Sequence, residues 1–305
     1  MQGSPIADVG EFGLIARVAA RLGPAPDEVV GNGDDAAVVK APDGRVVVST
    51  DALVEGGHFR NDWSSAYDIG RKAAAQAMAD IAAMGARPTA IVVALGAPKE
   101  LTIGTAEELA DGLGDECKAA GAGVVGGDMV AAPTMMLTVT AIGSLDGLEP
   151  VTRSGARPGD RVVLAGELGR SGAGLRLLGA GIREHPLVDA HRRPSPPYLM
   201  GPLLARSGAT AMIDVSDGLA ADAGHLAMRS GVRIELLSEA IPRAEGVTME
   251  DVLHGGEDHA LLATLPPYSE VPTGVVVIGA VVEGSGVALD GVDVSGGWDH
   301  FRGAS

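Results

Sequence analysis

The sequence predicts two α/β domains, each a mixed β-sheet packed with helices. First, short apolar runs of strand character alternate with Ala-rich stretches of helical period, which suits sheets layered with helices. Second, 305 residues are enough to build two hydrophobic cores. Third, EPVTRSGARPGD (Glu149 to Asp160) is dense in glycine, proline and charge and reads as a junction. Domains are therefore expected at 1–148 and 149–305.

In chain order, FGLIARVAARL (Phe12 to Leu22) carries apolar residues at helical spacing and stops at Gly23-Pro24. AAVVK and RVVVS read as short strands joined by the Pro42-Asp43-Gly44 turn. Tyr67 to Gly85 is a helix rich in Ala and Met that ends before Arg87-Pro88, and TAIVVALG follows as a buried strand. A helix from Thr105 to Gly121 leads to strands at Val124 to Gly127 and in MMLTVTAIGSL. Beyond the junction, DRVVLAG is a strand that runs into the loop and helix of ELGRSGAGLRLL. HRRPSPPYL (His191 to Leu199) is an ordered loop before another helix. AMIDV then passes into SDGLAADAGHLAMRS as strand into helix, with Ser216 and Asp217 at the helix start, and VRIELL and TGVVVIGAV are further strands. Both halves repeat strand, Gly/Asp turn and helix, without a clean sequence repeat.

Composition narrows the function. With 46% hydrophobic and 21% charged residues the chain is of ordinary globular type, and 3% aromatic content leaves the packing to small side chains. A net charge of −17 argues against non-specific nucleic-acid binding, which needs a basic surface. No cleavable leader pattern and no apolar run near membrane length is visible, so a cytoplasmic protein is expected, away from any membrane. A single cysteine, Cys117, excludes an internal disulfide and a cysteine metal cage.

The stretch GNGDDAAVV (Gly31 to Val39) fits the dinucleotide pattern G-x-G-x-x-[G/A], yet Asp34 and Asp35 stand where a pyrophosphate would approach. Two like unit charges about 4 Å apart repel by roughly 4 kcal/mol at an effective dielectric near 20. The pattern should also open a helix, whereas AAVV starts a strand. Acidic residues beside small ones recur in GDD, STD, MAD, GGD, DVSD and GGED. Singly, each reads as a turn residue. Asp80 differs, because it interrupts an Ala-rich helix beside Ile81, where an unpaired buried carboxylate costs several kcal/mol. Hard divalent cations offer a collective explanation: Mg²⁺ combines carboxylates with water and substrate phosphate. Ions placed between Asp34-Asp35 and a phosphate would turn acidic turns into a phosphate site. No EF-hand loop, P-loop or G-x-S-x-G elbow is present. His58 in EGGHF is expected to be exposed, as a phosphate contact or a plain surface histidine. ELGRSGAG reads as a tight connection in preference to an anion site. Trp298 in GGWDHF either caps the core or stacks on a flat ligand ring.

Taken in order, GEFGLIARV, GDDAAV, VSTDALVEGGHF, MADIAAMGA, GVVGGD, TRSGARPGD, RPSPP, IDVSDGL, HGGED and GGWDHF closely resemble the thiamine-monophosphate kinases over Gly10 to Phe301. These belong to the superfamily of aminoimidazole ribonucleotide synthetase and selenophosphate synthetase. The resemblance implies the two-domain fold of that superfamily, a homodimer formed through the N-terminal domains, and ATP held in the cleft between domains. It implies conversion of thiamine monophosphate and ATP to thiamine diphosphate and ADP. Carried over residue by residue, it makes Asp35, Ser49, Thr50, Asp51, Asp80, Asp128, Asp214 and Asp217 ligands of several Mg²⁺ ions. Gly127, Asp128, Arg153 and Ser216 would contact ATP; His58, Glu257 and Trp298 would hold thiamine monophosphate. This chain departs from the family pattern at Asn32, where an apolar residue is frequent, and at His259, where an aromatic one is usual.

The chemistry is coherent without the name. A phosphate monoester has its second pKa near 6 and is already ionised at neutral pH, so no catalytic base or covalent nucleophile is expected. What remains is to bring two polyanions together, which asks for positioning and charge neutralisation. Arg153 would add a fixed cationic fork. The rival readings are another ATP-using synthetase of the superfamily, a nucleotide or metal sensor without turnover, and a storage protein with incidental acidic turns.

Overall fold

The computed structural model describes residues 5–8, 10–31, 36–299 and 303–304. The chain divides into two compact units, Met1–Ile81 with Pro88–Ser144, and Ala82–Arg87 with Leu145–Ser305.

The first unit contains α1 (Gly10–Ala19), β1 (Glu28–Val30), β2 (Val38–Val39), β3 (Val47–Val54), α2 (Ala66–Ala83), β4 (Arg87–Ala97), α3 (Ile103–Ala120), β5 (Gly123–Ala131) and β6 (Met136–Ser144). Its main sheet runs β3-β6-β4-β5, with β3 antiparallel to β6 and β4 parallel to β5. The two strands expected on either side of Pro42-Asp43-Gly44 do not pair with each other: β2 joins β1, and β3 joins β6. The strand read as TAIVVALG starts earlier, at Arg87, with Pro88 near its beginning, where a missing N–H is tolerated.

Strand alternation gives this sheet two unlike faces. Leu53, Leu137, Val139 and Ala141 are buried, and their cross-strand partners include Ser49 and Asp51. Val48, Thr50 and Ala52 lie on the other face and are exposed. Nearly all of α2 is enclosed, its alanines 73, 74, 75, 77 and 79 having no exposed surface. Small residues let it pack closely against α3. A Cβ at Gly70 would sit 2.2 Å from the Leu109 carbonyl, and one at Gly112 would sit 2.1 Å from that of Tyr67. The scarcity of aromatic residues thus reflects backbone-to-backbone helix packing. Thr102 caps α3 by accepting from Thr105 N–H at 3.1 Å, and left-handed Gly121 ends it.

The second unit contains β7 (Arg161–Ala165), α4 (Arg170–Gly179), α5 (Pro186–Arg192), α6 (Met200–Arg206), β8 (Ala211–Val215), α7 (Leu219–Ser230), β9 (Arg233–Leu236), α8 (Met249–His254), β10 (Ala260–Leu265), β11 (Val275–Val282), β12 (Gly286–Leu289) and β13 (Val292–Val294). A small pair, β14 (Trp298–Asp299) and β15 (Gly303–Ala304), follows. The large sheet runs β13-β12-β9-β11-β7-β10-β8, and β12 pairs with β9 in parallel. Its core is aliphatic, built on Val162, Leu164, Ile213, Leu219, Leu226, Ile234 and Leu262. Part of the segment expected to be a loop, His191 to Leu199, is the end of α5. The helix expected to open at Ser216-Asp217 begins at Leu219, because Gly218 at φ 108° breaks the helical path. Both acidic-loop residues therefore precede the helix. Among the described residues no helix is long and apolar enough to cross a membrane.

Candidate functional site

In the first unit, β3 and α2 bring together part of the expected metal set. Ser49 and Asp51 share the strand face that carries buried Leu53, and Ser49 Oγ donates to Asp80 Oδ2 at 2.5 Å. Asp80 is half-buried, so the penalty foreseen for an isolated helix carboxylate is met by this bond. Thr50 faces the other way, and its hydroxyl lies 3.1 Å from that of Thr140. Strand alternation thus separates the Thr50 hydroxyl from Asp80, and a ligand role for Thr50 would fall to its main-chain oxygen. Asp128 is exposed on β5, with its Oδ1 accepting from Met129 N–H at 2.9 Å. Asp35 lies outside the described residues, as do Asn32 and Asp34.

His58 is half-buried, contrary to the exposed position expected from EGGHF. Its Nδ1 accepts from Val54 N–H at 3.1 Å, which places the ring proton of the neutral imidazole on Nε2. The His58 carbonyl accepts from Lys72 Nζ at 3.1 Å, and Lys72 is 2% exposed. This buried lysine was not singled out in the sequence, although a cation inside an Ala-rich helix was the available signal.

Beside Gly127 and Asp128 lies an apolar cavity of about 80 Å³. Val18, Val93, Leu95, Leu109 and Leu113 line it, and Gly126, Gly127, Asp128 and Met129 complete its wall. It combines an aliphatic interior with a glycine-rich, acidic strand.

The second unit holds a more deeply buried acidic group. Asp214, one residue before the end of β8, is 3% exposed, and its Oδ2 lies 3.0 Å from His259 Nδ1. Donor atoms of Asp217, Asp222 and His225 all lie within 4.8 Å of one another. Asp222 accepts from Asp217 N–H at 3.0 Å. Burial pushes the Asp222 carboxyl up to about 8; hydrogen bonds from Asp217 and Ser216 N–H oppose this, while the charges of Asp214 and Asp217 add to it. Sequence reading missed Asp222 and His225. Their i, i+3 spacing on α7 was the signal that puts them on one helix face.

The GGED segment is zipped onto the same strand end. Glu257 N–H donates to Ser216 O and His259 N–H to Val215 O, each at 2.8 Å. Glu257 and His259 adopt left-handed φ of 65° and 55°. The glycines ahead of them are sterically required: a Cβ at Gly255 would lie 2.3 Å from Asp251 O, and one at Gly256 2.5 Å from Ser216 O. Asp258 turns inward and caps α4, accepting from Gly169 N–H at 2.5 Å and Ser171 N–H at 2.8 Å. Burial pushes its carboxyl up to about 6, against those N–H groups and His259. The N–H groups that ELGRSGAG would offer an anion are therefore already engaged, and the tight-connection reading accounts for that segment. Glu257 itself is 3.5 Å from His191 Nδ1, which also meets Ser171 Oγ at 3.0 Å. Ser171 and His191 are 1% and 5% exposed, so this serine–histidine contact sits out of reach of a substrate. Arg153 is exposed, and its loop is tied to α7 through Ser230 Oγ donating to its carbonyl at 3.2 Å. The backbone of Trp298 lies in β14; its side chain falls outside the described part of the structure.

Hard oxygen donors held on two α/β units define the class of the protein: residues 33–145 match the family of AIR synthase related proteins, N-terminal domain, and residues 157–291 the corresponding C-terminal domain. A thiamine-monophosphate kinase from Mycobacterium tuberculosis is 48% identical over 97% of this chain and 93% of the relative. The crystal structure of thiamine-monophosphate kinase from Stenotrophomonas maltophilia superposes with a TM-score of 0.81 at 32% identity, covering 93% of this chain and 98% of that one. A structure described as AaThiL complexed with AMPPCP and TMP gives 0.78 at 32% identity over 96% and 98%. The chain belongs to the thiamine-monophosphate kinase family.

Proposed function

We propose that the protein phosphorylates thiamine monophosphate with ATP, giving thiamine diphosphate and ADP in thiamine diphosphate biosynthesis. Family membership sets the reaction. The observation that carries it to these residues is the gathering of hydroxyl and carboxylate oxygens at Ser49–Asp80 and around Asp217–Asp222. Burial first, and then the charges of Asp214 and Asp217, raise the Asp222 carboxyl, and this crowding of oxygen donors fits hard divalent ions. Asp35, Ser49, Asp51, Asp80 and Asp128 of the first unit, with Asp214 and Asp217 of the second, would hold Mg²⁺. Bound there, Mg²⁺ supplies a template and Lewis acid for phosphoryl transfer. The exposed, glycine-rich stretch of β5 at Gly127 and Asp128 would lie along the ATP phosphates. Arg153 would pair with phosphate oxygens, and the Nε2–H of His58 would donate to the substrate phosphate. Glu257 is the anion for the thiazolium charge, and Trp298 the stacking surface for a ring.

Transfer is direct and in-line, since the acceptor phosphate oxygen is itself the nucleophile. Cys117 is buried, and burial pushes its thiol up, with the Glu116 charge adding to the effect, so it is no nucleophile. A labelled phosphoryl group trapped on the protein would contradict this mechanism. The homodimer reading has its support in the outer face of the first unit's sheet, where Val48 is 58% and Met136 41% exposed. We place the protein in the cytoplasm; among the described residues no helix is long and apolar enough to cross a membrane. The decisive assay mixes protein, thiamine monophosphate, ATP and Mg²⁺ and separates thiamine mono- and diphosphate, with EDTA as control. Metal-dependent thiamine diphosphate, matched by ADP, is expected. ADP without thiamine diphosphate would leave the nucleotide reading and refute the acceptor.

A further inference from the structure

The contact between His259 and Asp214 has no place in the chemistry above. Both side chains are almost fully enclosed, at 2% and 3% exposure, so water does not compete for their contact. Nδ1 lies 3.0 Å from Asp214 Oδ2. A carboxylate only accepts, so Nδ1 carries the proton and donates. Oδ1 of Asp214 takes no hydrogen bond among the described residues. The backbone enforces the pairing from both sides: His259 N–H donates to Val215 O at 2.8 Å, and Leu261 pairs with Asp214 in the β10–β8 ladder. His259 reaches Asp214 from φ 55°, a left-handed conformation that Asn, Asp and His adopt more readily than other side chains.

We propose that His259 is a positioning residue, which holds Asp214 by Oδ2 so that Oδ1 is the oxygen offered to a divalent cation. This rests on the reading of Asp214 as a metal ligand. Without the histidine, the carboxylate could turn about its Cβ–Cγ bond, and part of the binding free energy would go into ordering it. Partners one step behind a metal ligand commonly change metal affinity by roughly 10- to 100-fold.

The test is a Mn²⁺ titration of the full-length protein without nucleotide, followed by electron paramagnetic resonance, together with the Mg²⁺ dependence of turnover. His259→Phe removes the donor and keeps a ring. It is expected to raise the Mn²⁺ midpoint and the Mg²⁺ requirement by roughly tenfold or more, with kcat at saturating Mg²⁺ near the parent value. His259→Asn places an N–H close to the position of Nδ1 and tolerates the same φ, so it should restore most of the affinity. His259→Gln reaches the position of Nε2 instead and should behave as a loss; it serves if the Phe variant does not fold. Asp214→Asn goes through the same titration. If Asp214→Asn raises the midpoint while His259→Phe and His259→Gln leave it unchanged, the positioning role is refuted. If Asp214→Asn leaves the midpoint unchanged, the ligand assignment fails first, and the proposal with it.

Discussion

The two acidic groups of this protein are built in opposite ways. In the first unit, Ser49 and Asp51 project from a regular strand and Asp80 from a regular helix, and a single hydroxyl bond joins Ser49 to Asp80. In the second, Asp217 sits in a loop that exists only because Gly218, Gly255 and Gly256 allow backbone approaches that no side chain would permit. Glu257 and His259 there hold left-handed conformations, which for residues with a Cβ cost on the order of 1–2 kcal/mol each. Regular elements present carboxylates with little strain, but only at the spacing their period dictates. Loops reach other geometries and draw on the stability of the rest of the unit to do so.

Breaking each group should therefore look different. The largest effect is expected from Asp80→Asn. If Asp80 holds Mg²⁺ as proposed, removing its carboxylate forfeits several kcal/mol of transition-state stabilisation, roughly a 10³-fold fall in kcat. Because Asp80 lies on a regular helix, the melting temperature should barely move. A large drop in melting temperature with near-normal turnover would make Asp80 a structural residue and erase the contrast.

Gly218→Ala probes the other side. Its φ is 108°, and the new Cβ would lie 2.7 Å from Leu253 O, so a loss of about 2–3 kcal/mol is expected in urea unfolding. Gly57→Ala is the matched control in the first unit, since its Cβ would meet only Val54 O at 3.5 Å. Equal losses at both positions would show that the second group is no more strained than the first.

Ser49→Ala sharpens the first group. It removes the donor to Asp80 while leaving the strand, and a roughly tenfold higher Mg²⁺ requirement is expected in the turnover assay. An unchanged requirement would show that Asp80 needs no help from β3.

The smallest effect concerns the support of the GGED segment. Asp251 closes a capping box with Thr248 at the start of α8, and Arg176 Nη2 donates to it at 2.8 Å. Burial works to raise the Asp251 carboxyl, but the hydrogen bonds from Arg176 and Thr248 outweigh it and hold the pKa below the usual carboxylate value. Asp251→Ala should cost about 1 kcal/mol in urea unfolding at neutral pH. A lowered folded pKa means the stabilisation is full above about pH 4, the unfolded value, and is lost as the pH falls through the folded one. The gap between parent and variant should therefore narrow in acid; a gap constant down to pH 2 would contradict the assignment.

The residues themselves determined most of the elements. Period and glycine placement located α2, α3, β8 and the end of α7 closely, because apolar repeats report which face each element must bury, whereas β3 runs on to Val54, five residues past the RVVVS stretch. The recurrence of Asp beside small residues also marked Asp51, Asp80, Asp214 and Asp217 before any packing was known, though not Asp222 or His225. Other features required tertiary structure. Which strands pair was not legible, since β2 and β3 are adjacent in sequence yet join different sheets. Strand alternation set the Thr50 hydroxyl apart from Ser49 and Asp51, a separation that a motif written as one string, STD, conceals. The start of α7 depended on whether Gly218 would be helical, and the tertiary structure holds it at φ 108°, outside the helical region. The meeting of His259 with Asp214, forty-five positions apart in the chain, came from the β8–β10 ladder alone. Local pattern determines which residues are able to ligate; long-range pairing decides which oxygen each one presents, because only neighbours brought from elsewhere in the chain can hold a carboxylate still.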